Sequence, residues 1–120
     1  MPLRCLIVDD SASFLEDAAA LLRREGLVIA GVASNTREAL QRARELRPDV
    51  VLVDISLGSE SGLETARLLV EADGGALDVI LISSRAEADF ADMIEEAPVA
   101  GFVPKSDLSA SAIRLLVAGA

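Results

Sequence analysis

The chain has 120 residues, a size that suits one domain with a single core and no disulfide staples. Its formal net charge of −9 argues against a nucleic-acid surface on this domain, because phosphate contact needs clustered Lys and Arg. The absence of His excludes every His-dependent mechanism, and with 2% aromatic against 52% hydrophobic residues the core must be built from Leu, Val, Ile and Ala.

A lone cysteine, Cys5, allows no internal disulfide. It lies inside an apolar run and reads as a small buried hydrophobe, not a reactive thiol. No apolar run approaches the roughly 18 residues that a membrane span needs. The N-terminus passes straight into strand pattern without a signal peptide, so a cytoplasmic location with no membrane partner is the expectation.

Leu3 to Val8 is predicted as the first strand. Ser11 or Ser13 caps a helix starting near Ala12. Leu15, Ala18, Ala19 and Leu22 share its inner face, and Gly26 stops it. Leu27 to Ala33 is a second strand. Thr36 to Leu46 is a helix with Ala39, Leu40, Ala43 and Leu46 inward, and Pro48 blocks its continuation. Asp49 to Asp54 is a third strand, Val-rich and ending on a carboxylate. Leu57 to Ser61 reads as a polar loop, and Gly62 to Ala72 as a third helix. Asp73-Gly74-Gly75 is a turn. Val79 to Ile82 is a fourth strand ending in Ser83-Ser84. Ala86 to Glu96 is a weakly periodic acidic helix. Ala100 to Val103 is a short fifth strand ending in Pro104-Lys105, and Asp107 caps a last helix running to about Val117.

Strand and helix alternate five times with short connections across residues 1–120, which predicts one α/β domain. The strands are near-continuous apolar runs, as expected when both faces of a parallel sheet are covered. Right-handed crossovers leave few layouts. A flavodoxin-like, doubly wound sheet of order 2-1-3-4-5 with five helices fits.

That order converges the carboxyl ends of strands one, three, four and five. They deliver Asp9 and Asp10, then Asp54, then Ser83, then Lys105. Three close carboxylates raise one another's pKa values unless a cation sits among them. Oxygen ligands in small number favour Mg²⁺ with several waters over a Ca²⁺ cage. Lys105 and Ser83 suit phosphoryl oxygens. Together these groups describe a phosphoryl-transfer site with Asp54 as nucleophile.

Asp9-Asp10, Asp54, Ser83, Phe102 and Lys105, in this order and spacing, resemble the receiver domain of two-component response regulators over essentially the whole chain. The family is known for the strand order given above, so that order rests on the resemblance too. The resemblance implies that Asp54 accepts a phosphoryl group from the phosphohistidine of a sensor histidine kinase or a phosphotransfer protein. Asp10 would bind Mg²⁺ directly and Asp9 largely through water, with Asp54 and the Ser56 backbone carbonyl as further ligands. Lys105 would pair with the phosphoryl oxygens. Ser83 would swing toward them and Phe102 would turn inward behind it, a local charge event biasing a two-state element. Hydrolysis of the acyl phosphate resets the domain, which is thus a switch and not an enzyme in the ordinary sense.

The chain departs from the family where Ser61 replaces a frequent Asp and where Gly58 replaces a usual Pro, and Gly58 predicts a freer loop after Asp54 before phosphorylation. Ser84 replaces a common Ala and is followed by Arg85, both beside the route of an attacking water. Ser106 replaces a Pro that often follows the Lys. A non-Pro cis bond costs roughly 3 kcal/mol, so a cis Lys105–Ser106 peptide is not expected.

Other readings of the same residues stay open. Strand-end acids also cap helices. Ser84 is the rival to Ser83, and Phe102 also reads as a plain core residue. An aspartyl-nucleophile phosphatase wants a second acid two residues on, where Ser56 stands. A flavin or nucleotide binder wants a Gly-rich loop after strand one, where Asp9-Asp10 stand. A pseudo-receiver that takes no phosphate is the remaining alternative. On the last helix, Leu108, Ala112 and Leu115 are expected to face the sheet, leaving Ala110, Ile113 and Val117 outward. Strand five with helices four and five is then the expected output face, for a partner or a homodimer.

Overall fold

A computed structural model describes residues 2–74, 77–85 and 91–118. Five strands, β1 (Arg4–Val8), β2 (Val28–Ala33), β3 (Val50–Asp54), β4 (Asp78–Ser83) and β5 (Gly101–Pro104), form one parallel sheet of order β2-β1-β3-β4-β5. Five helices alternate with them: α1 (Ala12–Arg24), α2 (Thr36–Leu46), α3 (Gly62–Ala72), α4 (Ala91–Glu96) and α5 (Ala110–Ala118). This is the expected doubly wound, flavodoxin-like arrangement. Residues 86–90, the start of the expected fourth helix, and Gly75 of the expected turn lie outside the described residues. No helix among the described residues is long and apolar enough to cross a membrane.

The sheet separates two apolar layers, and successive strand residues enter them alternately. Cys5, Ile7, Val50, Leu52, Ile80, Ile82 and Val103 pack under α1 and α5, against Leu15, Leu22 and Ile113. Leu6, Val8, Val51, Val53, Val79, Leu81 and Phe102 pack on the other face, against Ala39, Ala66 and Leu69 of α2 and α3. Covering both faces is why these strands carry no polar alternation. Cys5 is wholly buried, and burial pushes its thiol up to about 12, so it serves as core.

Helix ends explain where the chain turns toward the sheet's carboxyl edge. Ser11 caps α1, its Oγ accepting from Phe14 N. Asn35 caps α2 by accepting from Glu38 N, while Glu38 accepts in return from Ser34 N. α2 ends with Arg47 in the left-handed region at φ 48°, before Pro48. Arg4 Nη1 donates to the carbonyls of Leu46 and Arg47, placing a cation at that helix's negative end.

The last helix corrects two expectations. Lys105–Asp107 form a 3₁₀ turn, and α5 starts only at Ala110, so Asp107 is not its cap. Ser109 Oγ accepts from Ala112 N, and the Glu25 carboxylate, from the end of α1, accepts from Ala110 N at 2.7 Å. The inner face is also different. Ala110 and Ile113 are buried against the sheet, whereas Leu115 is 76% exposed. Apolar residues lie on both faces of this helix, so composition alone did not phase it. No peptide bond among the described residues is cis, Lys105–Ser106 included.

Two glycines admit close approaches. A Cβ on Gly62 would lie 1.8 Å from the Asp54 carbonyl oxygen, and Gly62 N donates to Ile55 O at 2.7 Å. A Cβ on Gly101 would lie 2.7 Å from the Leu116 side chain. The first obstacle is backbone and the second a side chain with other rotamers. Gly62→Ala is therefore expected to cost about 3 kcal/mol in urea denaturation and Gly101→Ala about 1 kcal/mol. Equal costs would contradict the packing described here.

Candidate functional site

Asp9 leaves β1 with its N–H donated to Ala33 O, and its Oδ1 accepts from Ser11 N at 2.8 Å. Those two bonds turn the chain from strand into α1. Asp9 is fully buried, whereas Asp10 is exposed. Asp54 ends β3 at 7% exposure, and its Oδ1 accepts from Ser56 N at 3.0 Å. Carboxylate oxygens of Asp9, Asp10 and Asp54 lie within 4.8 Å of one another. Lys105 arrives from the turn after β5, with Nζ 2.7 Å from Asp9 Oδ2 and 3.0 Å from Asp54 Oδ2. The same nitrogen sits 4.1 Å from the centroid of the Phe14 ring.

One ammonium faces three acids, so the cluster is short of positive charge. The contact of Lys105 with Asp9 lacks hydrogen-bond geometry and leaves buried Asp9 Oδ2 with no hydrogen-bond partner. Asp54's pKa is raised, first by burial and also by the neighbouring Asp9 charge, against the Ser56 N–H and Lys105, which lower it. Burial works against the charge on Lys105, but its close contacts with the Asp9 and Asp54 carboxylates outweigh that and hold its pKa above the ordinary value. A buried carboxylate oxygen whose one partner is an ammonium shared with Asp54, in an oxygen-only cluster, fits a hard divalent cation of the Mg²⁺ type.

Other expected site residues fall as follows. Ser83 ends β4, the neighbour of β3, is 4% exposed, and accepts from Arg85 N at 3.0 Å. Ser84 and Arg85 are exposed. Phe102 is 9% exposed and lies opposite Leu81 in the layer under α2 and α3. Ser56 is exposed at the start of the segment after Asp54. A cleft of about 770 Å³ between α2 and α3, lined by Arg47, Pro48, Asp49 and Leu77, opens at the opposite edge of the sheet and shares no residue with the acid cluster.

The segment after Asp54 is not the plain loop expected from sequence. Ser56–Leu57 pairs antiparallel with Glu60–Ser61, and Gly58 makes the turn at φ 61°. A Cβ there would lie 3.3 Å from Asp10 Oδ2, so glycine also leaves room for that carboxylate. The hairpin is tied to α2. Glu60 Oε1 accepts from Thr36 N and Thr36 Oγ1 at 2.8 and 2.7 Å. Thr65, wholly buried, shares its hydroxyl between Thr36 Oγ1 and the Ser61 carbonyl. Glu60, Thr36, Thr65 and Phe14 were not singled out from sequence, since each acts on a residue distant in the chain and no local spacing marks them.

Residues 5–116 match the family model described as the response regulator receiver domain. The chain is 34% identical over 121 residues to the response regulator GacA of Pseudomonas viridiflava, covering 98% of this chain and 56% of that protein. It is 41% identical over 91 residues to the DNA-binding response regulator MtrA of Mycobacterium tuberculosis, covering 76% of this chain and 38% of that one. A solved two-component response regulator of the LuxR family from Aurantimonas sp. SI85-9A1 is 28% identical, with a TM-score of 0.86, covering 99% of this chain and 87% of that one. The chain thus spans about half or less of the length of these curated relatives.

The tie between hairpin and α2 depends on charge. Thr36, by its backbone N–H first and then its hydroxyl, holds the Glu60 carboxyl below its ordinary pKa. A lowered carboxylate contributes stability above its ordinary value and loses it as pH falls through the folded value. Urea denaturation from neutral pH downward should therefore show a shallower acid decline in Glu60→Gln than in the parent. Identical slopes would show that the bond carries no stability.

Proposed function

The chain belongs to the response regulator receiver domain family, and from that premise we propose that it is a phosphorylation switch with Asp54 as the acceptor. The observation that carries this reading is the Asp9, Asp10 and Asp54 cluster with the Lys105 ammonium in contact with Asp54. The donor is the phosphohistidine of a sensor kinase or phosphotransfer protein. A carboxylate oxygen of Asp54 forms the O–P bond as the N–P bond of the donor breaks, and the electron pair returns to the imidazole. Water later attacks the phosphorus, releasing phosphate and restoring Asp54.

Asp10 and Asp54 with the Ser56 carbonyl, and Asp9 through water, would hold Mg²⁺, whose charge offsets that on the phosphoryl oxygens. Lys105 exchanges its bond to Asp54 for one to a phosphoryl oxygen, acting as a point charge. Ser83 Oγ accepts from the Arg85 N–H and keeps its own O–H free to donate to the same group. Phe102 packs inward already, so its part in the switch is the repacking of a core ring. Met93 on α4 and Leu115 on α5 are exposed at 48% and 76%, which supports α4, β5 and α5 as an output face for a partner or a second copy. The alternatives have less support. Exposed Ser56 stands where an aspartyl phosphatase wants its acid, and a pseudo-receiver has no use for a partly buried three-acid cluster.

Incubation with Mg²⁺ and acetyl phosphate is expected to add the mass of one phosphoryl group. The gain should vanish on chelation and in Asp54→Asn. A gain that survives in Asp54→Asn would remove Asp54 from its role, and no gain in the parent would favour the pseudo-receiver. Sedimentation with and without beryllofluoride tests the output face. A beryllofluoride-dependent dimer, lost in Leu115→Glu, is expected if the face is self-complementary, and a monomer in both states counts against dimerisation.

A further inference from the structure

We propose that Phe14 is a positioning residue for Lys105, its ring face keeping the ammonium over the acid cluster as Lys105 changes partners. The inference rests on Asp54 as the phosphoryl acceptor and concerns the same site. Lys105 Nζ lies 4.1 Å from the ring centroid, well inside the ~6 Å reach of a cation–π contact. It is also 2.7 Å from Asp9 Oδ2 and 3.0 Å from Asp54 Oδ2. The ammonium is thus held by two carboxylates and one aromatic face, with its side chain 21% exposed.

The ring itself is placed from the same cluster. Asp9 Oδ1 accepts from Ser11 N, Ser11 Oγ accepts from Phe14 N, the Phe14 ring meets Lys105, and Lys105 returns to Asp9 Oδ2. The four residues form a closed circuit of contacts. Asp9 therefore sets both the charge that attracts Lys105 and the helix start that carries the ring.

The circuit matters because phosphorylation replaces a partner of Lys105. When Asp54 becomes an acyl phosphate, Lys105 gives up the carboxylate and takes a phosphoryl oxygen. A lysine on its flexible four-carbon stem has solvent-facing rotamers open to it during that exchange. The attraction of the ring face is indifferent to which oxygens the ammonium meets, so it persists through the change. Leucine fills similar space but has no quadrupole, whereas tyrosine keeps the aromatic face.

The test compares Phe14→Leu and Phe14→Tyr in the parent and in Lys105→Met, reading the Mg²⁺-dependent acetyl phosphate rate at saturating donor by intact mass. Phe14→Leu is expected to lower the rate about 3- to 30-fold. Phe14→Tyr should stay within about 2-fold of the parent, and the leucine effect should vanish in Lys105→Met. A leucine effect of equal size in both backgrounds, or none in either, overturns the proposal, since a purely structural ring does not depend on Lys105. A second readout needs no variant. Ring-current shifts of the Lys105 ε-methylene protons should be present in the parent by NMR and persist with Mg²⁺ and beryllofluoride, and their loss on beryllofluoride binding overturns the proposal. Failure of the underlying acceptor assignment looks different, as phosphorylation that is absent from the parent or retained in Asp54→Asn.

Discussion

One ammonium set against three carboxylates governs this molecule. Lys105 touches Asp9 and Asp54, and Asp10 lies within the same 4.8 Å cluster. Two of the acids are buried. Charge taken out of water without a partner is costly. The cluster therefore favours the arrival of another cation, and Lys105 alone leaves Asp9 Oδ2 without a hydrogen bond. The unbalanced charge sits at one edge of a sheet whose buried residues are otherwise apolar, so the rest of the fold carries the stability that the site gives up.

The sheet order makes the cluster possible. β1 and β3 are hydrogen-bonded neighbours, so Asp9 and Asp54 emerge side by side. β4 and β5 follow on the same side and bring Ser83 and Lys105 to that edge. Gly62 then lets the chain pass within contact of the Asp54 carbonyl on its way into α3. Glu60 fastens the intervening hairpin to the start of α2. Asp54 is held by its pairing with Ile82 and the close approach of Gly62 while its carboxylate stays at the edge.

Strands β1, β3 and β4 could be read from the sequence because residues buried on both faces are apolar without interruption. The sheet order followed from chain alternation, handedness and the family resemblance. The strand-end residues could be listed because a parallel sheet presents all its carboxyl ends at one edge. The phase of α5 could not. Ala110, Ile113, Leu115 and Val117 give it apolar residues around most of its circumference, and its start is fixed by Ser109 and by Glu25 from α1. The hairpin after Asp54 was hidden for a similar reason. Ser, Gly and Glu read as loop, and the bonds that order them come from Thr36 and Thr65. Phe14 carried no signal either, since a Phe in the first turn of a helix reads as core.

The relatives are longer than this chain, which covers 56% of one and 38% of the other. What this chain itself presents is the acid and lysine site at the sheet edge. The most direct test is a crystal structure grown with Mg²⁺ and beryllofluoride. The account predicts beryllium bonded to an Asp54 carboxylate oxygen, fluorines on Lys105 Nζ and Ser83 Oγ, and the metal on Asp10, Asp54 and the Ser56 carbonyl. Beryllofluoride bound elsewhere, or Lys105 turned away from the fluorines, would contradict it.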